Sequence, residues 1–478
     1  MSSVLQAEAG RNRLRRDQFE QSAGPQRNVL RPAAPIPSPK RLGFFGAIRA
    51  LANNPLSAFA APAYEAPVLE VTFLKRMLLV SDPDAIARIL VGNAGNYRKS
   101  VQQQRRLTPA LGDGLLTAEG ETWRSTRRIA SPLFTPKAIE ALLGDMRGAA
   151  DAMAARWRDR KAPDTPLDLT AEFQRLTYDI VSRTVFSGAL DEHRINIHAN
   201  MAVYFDTIGR IDLASLLNLP DWLPTRNARR VKPALGAFRA VVDEVVAARV
   251  ADPDRESADL LDRLMQSPDP KTGKRLSPTA VADNVLTFLA AGHETTGNAL
   301  GWILYLLALD PETETRMREE LEALPGGVAS REAMDLLPFT RAAVNEALRL
   351  YPPAPFMGRE AIGADTLAGH DVKPGTEILI SPWIVHRHRA LWEEPDAFNP
   401  ERFLGQKEAD FPRGAYLPFG LGPRVCIGQG FAIQEILTVL AAILPAFRFR
   451  LADTAAIVPE ARITLRSRGG IPMIVSPR

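Results

Sequence analysis

PFGLGPRVCIGQG, residues 418–430, holds the single cysteine of a 478-residue chain and sets it among four glycines, two residues after an arginine. A structural cysteine behaves as a small hydrophobe and ordinarily hides on a helix or strand; this one stands where side chains have been cleared away. Glycine permits close approach of backbone to a ligand, and peptide N–H groups beside a thiolate tune its electron donation to a metal. One thiol excludes an internal disulfide framework, a multi-cysteine zinc site and an iron–sulfur cluster. The six histidines are scattered, and the one close pair, His386 and His388, has no HExxH-type spacing and reads as structural or solvated. If a metal binds, Cys426 is the protein ligand to expect.

The rest of the chain bounds the setting. A hydrophobic content of 46% with 24% charged residues is that of a globule with a large core. A net charge of +4, with no dense basic run and no zinc-finger spacing, gives no reason to expect nucleic acid. The leader MSSVLQAEAGRNRLRRDQFEQ lacks the apolar run of a signal peptide. His293, Glu294 and Pro445 interrupt the long apolar stretches, so no membrane span is expected and the expectation is a soluble, cytoplasmic protein. Residues 1–40, polar and then proline-rich, read as a disordered leader.

Length alone suggests two or three domains. PVLEVTFLKRMLLV (67–80) reads as two strands around a turn, and Ser81 or Asp82 caps a following helix. Helical patterns dominate from about 120 to 350, with breaks at NLPDWLPTR and MQSPDPKTG. AGHDVKPGTEILI (368–380) resembles a hairpin, a long irregular stretch runs through WEEPDAFNPERF, and an apolar helix follows the cysteine. Neither repeats nor a G-x-G-x-x-G turn are evident. The expected fold class is mainly α with small β-sheets.

Phe419, Gly422, Arg424, Cys426 and Gly428 spell F-x-x-G-x-R-x-C-x-G, a pattern that average composition produces on the order of once in ten thousand chains of this length. At every position it resembles the haem-binding loop of the cytochrome P450 family. Three further stretches carry the same resemblance. LTFLAAGHETTGNALGWILYLLAL (286–309) reads by itself either as one buried helix or as a capped break between two, because poor helix formers and a charge occupy its middle; its A-G-x-E-T-T is similar to the family's oxygen-activation motif. NEALRLYPPAP supplies Glu346 and Arg349, an E-x-x-R pair one turn apart, with Arg402 downstream in NPERF. ETWRSTRRIASPLF places Trp123 and Arg127 on one helical face.

The resemblance covers about residues 41–478 and implies one haem domain, a helix-rich prism around a buried haem b (iron protoporphyrin IX). It makes Cys426 the axial ligand and assigns Phe419, Gly420, Gly428 and Ala291 to the haem's surroundings, with Gly292 making room beside the iron. Trp123, Arg127, Arg359 and Arg424 would meet the propionates. Thr295 would hydrogen-bond bound oxygen and Glu294 would relay protons, while Glu346, Arg349 and Arg402 would form a buried structural network. The substrate pocket is expected at the loop 100–118, residues 201–225 with Phe205, then Leu289, Ala290, Ala291, Pro355, Phe356, Met357 and Ile471. Its apolar lining points to a hydrophobic substrate of fatty-acid or terpenoid type. O2 is the oxidant, and NAD(P)H electrons are expected through a separate reductase and a ferredoxin- or flavodoxin-type partner docking near Arg124 and Arg128. The expected state is a monomer. The rival readings are a peroxygenase or isomerase that needs no partner, and a non-catalytic haem-binding sensor.

Overall fold

The computed structural model describes residues 29–72, 76–189, 226–252, 259–324, 330–405, 410–453 and 457–478, with isolated positions between them. Residues 1–28, Phe205 and most of the 201–225 stretch lie outside the described residues.

β1 (Val68–Thr72) and β2 (Arg76–Val80) are the two strands expected, paired antiparallel with Val68 opposite Val80. Asp82 caps the next helix, its carboxylate accepting from the Ala85 N–H at 2.8 Å. With β3 (Tyr97–Lys99), β4 (Met357–Ala361) and β5 (Glu377–Ile380) they form one sheet of order β1-β2-β5-β4-β3. β2 and β5 run parallel; the other neighbours are antiparallel.

The hairpin read from AGHDVKPGTEILI does not form. His370–Val372 pairs with Asp365–Leu367, and Glu377–Ile380 enters the large sheet as β5. Ile378 and Ile380 alternate onto one face and bury among Leu78 and Val80, a larger apolar surface than a three-residue polar strand offers. Likewise the stretch read as a loop at 100–118 begins as a helix, Val101–Leu111.

The helices that position the site are α1 (Gly120–Ala130), α2 (Leu169–Phe186), α3 (Pro278–Leu309), α4 (Pro338–Leu350) and α5 (Gln429–Ile443). α3 is a single 32-residue rod, with no break at its polar middle. Ser277 accepts from the Ala280 N–H and Pro278 occupies the first turn, so its start is doubly specified. Two apolar clusters divide it: Val281–Ala290 packs into one and Ala299–Leu307 into the other. The segment between them carries the Glu294-Thr295-Thr296 triplet. α2 lies along α3 at close range, because a Cβ on Gly297 would sit 3.1 Å from the Gln174 backbone nitrogen. Near the C-terminus β6 (Pro459–Ala461) and β7 (Leu465–Ser467) pair as a short hairpin.

The packed chain begins before residue 41, contrary to the leader expected over 1–40. The Ala33 N–H donates to the Tyr305 hydroxyl at 3.0 Å, the Tyr351 hydroxyl donates to the Ala33 carbonyl at 2.7 Å, and the Phe398 N–H reaches the Leu30 carbonyl at 2.9 Å. The prolines of RPAAPIPSPK therefore hold an extended strap against two buried tyrosines.

Candidate active site

The cysteine loop is closed by its own backbone. The Cys426 N–H donates to the Phe419 carbonyl at 2.9 Å and the Val425 N–H to the Gly422 carbonyl at 3.0 Å. Gly420 and Gly422 have φ of 79° and 77°, where a side chain is strained. At Gly422 the cleared space is used by protein: an added Cβ would lie 2.0 Å from the Leu90 carbonyl oxygen. Phe419 packs, half-buried, against the larger apolar cluster.

The Cys426 thiol is accessible. Burial among surrounding protein pushes its pKa up, against the Gly428 N–H and the Arg127 charge, which both favour the thiolate. Arg127 also fastens the loop to α1, its Nη1 donating to the Val425 carbonyl at 2.9 Å.

Beside the loop lies a cluster of cations. The antiparallel register of β3 and β4 sets Lys99 directly opposite Arg359, a like-charge pairing that a sheet normally avoids. Arg424 adds a third charge; it pairs with both carboxylate oxygens of Glu119 and lies over the Trp123 ring, 5.0 Å from its centroid. Burial, and after it repulsion from Arg424, lowers Lys99 to about 7 and Arg359 to about 10. Lys99 spends its donors on the Leu115 and Ala118 carbonyls, and its own N–H binds Glu119. Lys99, Arg359 and Arg424 thus share the Glu119 carboxylate, with Arg127 beside the accessible thiol.

Sequence reading missed Lys99 and Glu119. Nothing in YRKS or AEGE marks them, because the partnership exists only through strand register and the turn into α1. Arg127 and Arg424, expected at propionates, are engaged respectively with a loop carbonyl and with Glu119.

Across from this cluster α3 has one open face. Ala291 is exposed and Thr295 part-exposed, although Val281–Ala290 before them and Thr296–Leu307 after them are buried. The two are one turn apart and share a face. Ile427 and Trp123 pack against the apolar cluster that holds Val281–Ala290, so the cysteine loop, α1 and α3 border one another. The Thr295 hydroxyl donates to the Ala291 carbonyl at 2.5 Å, and Thr177 of α2 donates to the His293 carbonyl at 2.6 Å, so side chains compete for the helix's own acceptors here.

Several expected pocket residues fall elsewhere. Leu289 and Ala290 are core, 0% and 6% exposed, since consecutive residues of a helix point about 100° apart, and Ala291, Gly292 and Thr295 are the positions that open. Gly292 faces α2, where a Cβ would lie 3.1 Å from Val181 Cγ2, so it serves helix packing. Ile471 is buried at 1%, its N–H held by Asp168. Pro355 is buried, with its carbonyl bound by Ser381. Phe356 and Met357 stay part-exposed, and Met357 Sδ lies 3.7 Å from where a Gly420 Cβ would be.

Glu294, next in sequence to Thr295, points to a different side and is 4% exposed. Burial raises its pKa to about 7, opposed by hydrogen bonds from Thr464 and Asn298 and by the charge of Arg466. A carboxyl raised in the fold stabilises it fully below the unfolded pKa, and that stability is lost as pH rises from about 4.5 through 7. Glu294→Gln is therefore expected to flatten the pH dependence of urea unfolding over that range and to gain up to about 3 kcal/mol above it.

Behind the loop, α4 supplies a fully buried pair. Arg349 donates to both Glu346 oxygens at 2.7 and 2.8 Å, and its remaining N–H groups reach the carbonyls of His386, Pro395 and Ala397. Glu346 Oε1 also accepts from Arg402 Nε at 3.2 Å and from the Asn399 N–H at 2.9 Å. His386 carries this network to the loop segment: Nδ1 donates to the Arg349 carbonyl at 3.0 Å while Nε2 accepts from the Leu417 N–H at 2.7 Å, which fixes the tautomer.

The sequence profile described as Cytochrome P450 matches residues 36–469. The chain belongs to the cytochrome P450 family. It is 32% identical over 446 residues to cyclooctatin synthase of Streptomyces melanosporofaciens, covering 92% of this chain and 95% of that protein. It is also 32% identical over 461 residues to cyclooctat-9-en-7-ol 5-monooxygenase of the same organism, 96% and 97% respectively. A bifunctional P450/NADPH–P450 reductase of Alternaria alternata is 32% identical over 389 residues, 78% of this chain and 34% of that larger protein.

Membership makes the P450 a haem-thiolate oxidoreductase of the monooxygenase type, using O2 and a cysteine ligand. The residues fit that cofactor. The chain's one thiol is accessible, a peptide N–H favours its ionised form, and the under-compensated cations beside it suit the two carboxylates of a haem. Among the described residues no three or more His, Cys, Asp or Glu side chains form an alternative metal cluster. Nor, among the described residues, is any helix long and apolar enough to cross a membrane.

Proposed function

We propose that this P450 inserts one oxygen atom of O2 into a hydrophobic, carbon-rich substrate of terpenoid or acyl-chain type, within a single haem domain. The observation that carries this reading is the pairing of an accessible Cys426 with the one open stripe of α3, Ala291 and Thr295. Haem held by the Cys426 thiolate supplies redox chemistry and O2 binding when present. Lys99, Arg359 and Arg424 are the residues for its propionates, with Trp123 and Arg127 beside them; Phe419, Gly420, Gly428 and Ala291 border the ring. Glu346, Arg349 and Arg402 fix the loop from behind.

The substrate side is apolar apart from one hydroxyl: Ala291, Phe356 and Met357 exclude water, and Thr295 supplies the polar atom. Its Oγ keeps acceptor capacity while its hydrogen is given to the Ala291 carbonyl; in a relay it would accept a proton on the free lone pair as that hydrogen turns from the carbonyl to the substrate side. Glu294, raised to about 7, is half protonated near neutrality, the condition for an effective acid. Two relatives named for cyclooctatin chemistry favour the terpenoid side of the substrate class. A ligand-library screen for the spin-state change of the haem tests this: apolar terpenoids and fatty acids are expected to produce it, and a library without one active apolar member overturns the substrate class.

Electrons are proposed to arrive from a separate acidic ferredoxin or flavodoxin served by an NAD(P)H reductase. Of the two arginines expected at its docking face, Arg128 is committed to Asp269, with 2.7 Å bonds to both oxygens, and to Glu121. Arg124 is 58% exposed and only loosely tied to Glu121 at 3.4 Å. Arg124→Glu is thus the clean variant. It is expected to slow reduction severalfold at low salt and to flatten the salt dependence; unchanged stopped-flow rates would count against docking there.

A further inference from the structure

Glu294 does not share the face of α3 that carries Thr295. It leans against the β6–β7 hairpin, where Thr464 in the turn, and Asn298 one helical turn along, favour its ionised form. These supports are themselves tied together: Asn298 Nδ2 donates to Thr464 Oγ1 at 3.3 Å, and Gln174 of α2 donates to Asn298 Oδ1 at 3.3 Å. Glu294 Oε2 is buried without a hydrogen-bond partner, and so are Nε and Nη1 of Arg462 on that hairpin. Unpartnered buried polar atoms of this kind call for an explanation.

The hairpin is also where charge runs from the interior to solvent. Glu460, 3% exposed, is met by Arg462 at 2.9 Å, Arg466 at 3.4 Å and Arg468 at 3.0 Å. Their side chains are 10%, 25% and 52% exposed, a graded series from core to surface. Arg466, cross-strand partner of Glu460, is the cation whose field reaches Glu294. On its other sides Glu294 meets little charge. α2 brings the uncharged Gln174 and Thr177, α3 brings His293, and α5 brings the Glu435 carboxyl, whose pKa burial pushes well up.

We propose that the β6–β7 hairpin is the proton entrance of this P450, with the linked Thr464 and Asn298 beside the Glu294 carboxyl and the Arg462, Arg466 and Arg468 series on Glu460 leading from it to solvent. In each relay cycle the Glu294 acid gives one proton towards Thr295 and is left as carboxylate; solvent returns one proton along the hairpin. Two cycles supply the two protons needed for each O2 cleaved, and the electrons come from the redox partner. The inference rests on the relay role given to Glu294 above, and it adds where that group is recharged. Arg466, Thr464 and Asn298 are positioning residues, acting through Glu294.

Infrared titration of the holoenzyme, with the protonated-carboxyl band assigned by its loss in Glu294→Gln, reads the site without turnover. The expected midpoint is about 7. Removing a cation disfavours the carboxylate, so Arg466→Gln is expected to raise the midpoint by about one unit. Thr464→Val raises it in the same direction by removing a bond to the ionised form. Arg468→Gln, at the solvent end, leaves it in place. In turnover, both shifting variants should divert electrons to hydrogen peroxide and increase the solvent isotope effect. An unmoved midpoint in Arg466→Gln and Thr464→Val, alongside a Glu294→Gln variant that is uncoupled, overturns the hairpin entrance alone. A shifted midpoint alongside a fully coupled Glu294→Gln overturns the relay role itself.

Discussion

Cys426→Ala is expected to lose the thiolate signature of the reduced, carbon-monoxide-bound haem completely while keeping the helical circular dichroism of the parent. The asymmetry follows from how the loop is built. Its closure uses the Cys426 backbone N–H and the Gly422 carbonyl, neither of which the substitution touches. The thiol itself is exposed, so its removal costs the polypeptide no more than about 1 kcal/mol beyond the stability that thiolate ligation of the haem supplies. The adjacent cations, Lys99, Arg359 and Arg424, remain, so haem can still associate without an axial thiolate. Spectra of reduced, carbon-monoxide-treated protein together with a urea midpoint check both halves. A thiolate spectrum surviving the substitution would remove Cys426 as ligand, since no other cysteine exists in the chain.

The opposite pattern is expected at Arg349, where no chemistry occurs and the fold depends on the side chain. Arg349→Ala leaves the Glu346 carboxylate, 0% exposed, with only Arg402 and the Asn399 N–H, and strips donors from the carbonyls of His386, Pro395 and Ala397. Breaking a buried ion pair costs about 3–5 kcal/mol, and each stranded carbonyl adds about 1–3 kcal/mol. Total stabilities are about 5–15 kcal/mol, so the variant should be largely unfolded or aggregated at 37 °C. Arg349→Lys should recover little, because one ammonium cannot reproduce a five-donor fork. Urea unfolding of the two variants, with haem content on purification, measures this; an unfolding free energy within about 1 kcal/mol of the parent would show that the network is dispensable.

How much of this was legible beforehand depends on what kind of signal each feature leaves. The helical class was, because periodic apolar residues recur through 120–350 and α3 is apolar on every side. The cysteine loop and the E-x-x-R pair were, because their residues act at fixed spacing within one segment. The cation cluster was only half visible: Arg359 and Arg424 sit in recognisable segments, whereas Lys99 depends on β3 lying antiparallel to β4 in one register. The pocket departs from its expected lining for a geometric reason. Leu289, Ala290 and Ala291 are consecutive, whereas a helix presents about one residue per turn to a given space, and Ala291 and Thr295 share that face. At Gly292 a Cβ would meet Val181, and at Gly422 the Leu90 carbonyl, so protein packing by itself accounts for a missing side chain at both. A glycine in a sequence announces that something comes close without saying what. The tail of AGHDVKPGTEILI failed similarly, since a turn signal cannot say which sheet the next strand joins.

The imidazole that ties Arg349 to Leu417 decides how acid attacks this molecule. Burial first, and the Arg349 charge after it, lower His386 to about 3 from an ordinary 6.5, so in the native state the tether stays neutral and intact through mild acid. The unfolded chain, however, takes up that proton as soon as the pH drops below 6.5. Stability contributed by the depressed pKa is therefore full above the unfolded value and drains away as pH falls towards 3, by several kcal/mol. Mild acid thus leaves the cysteine loop as firmly moored as before in every folded molecule, and depletes the number of folded molecules. Acid loss of the cofactor should follow global unfolding in step, with no early phase in which the loop alone lets go.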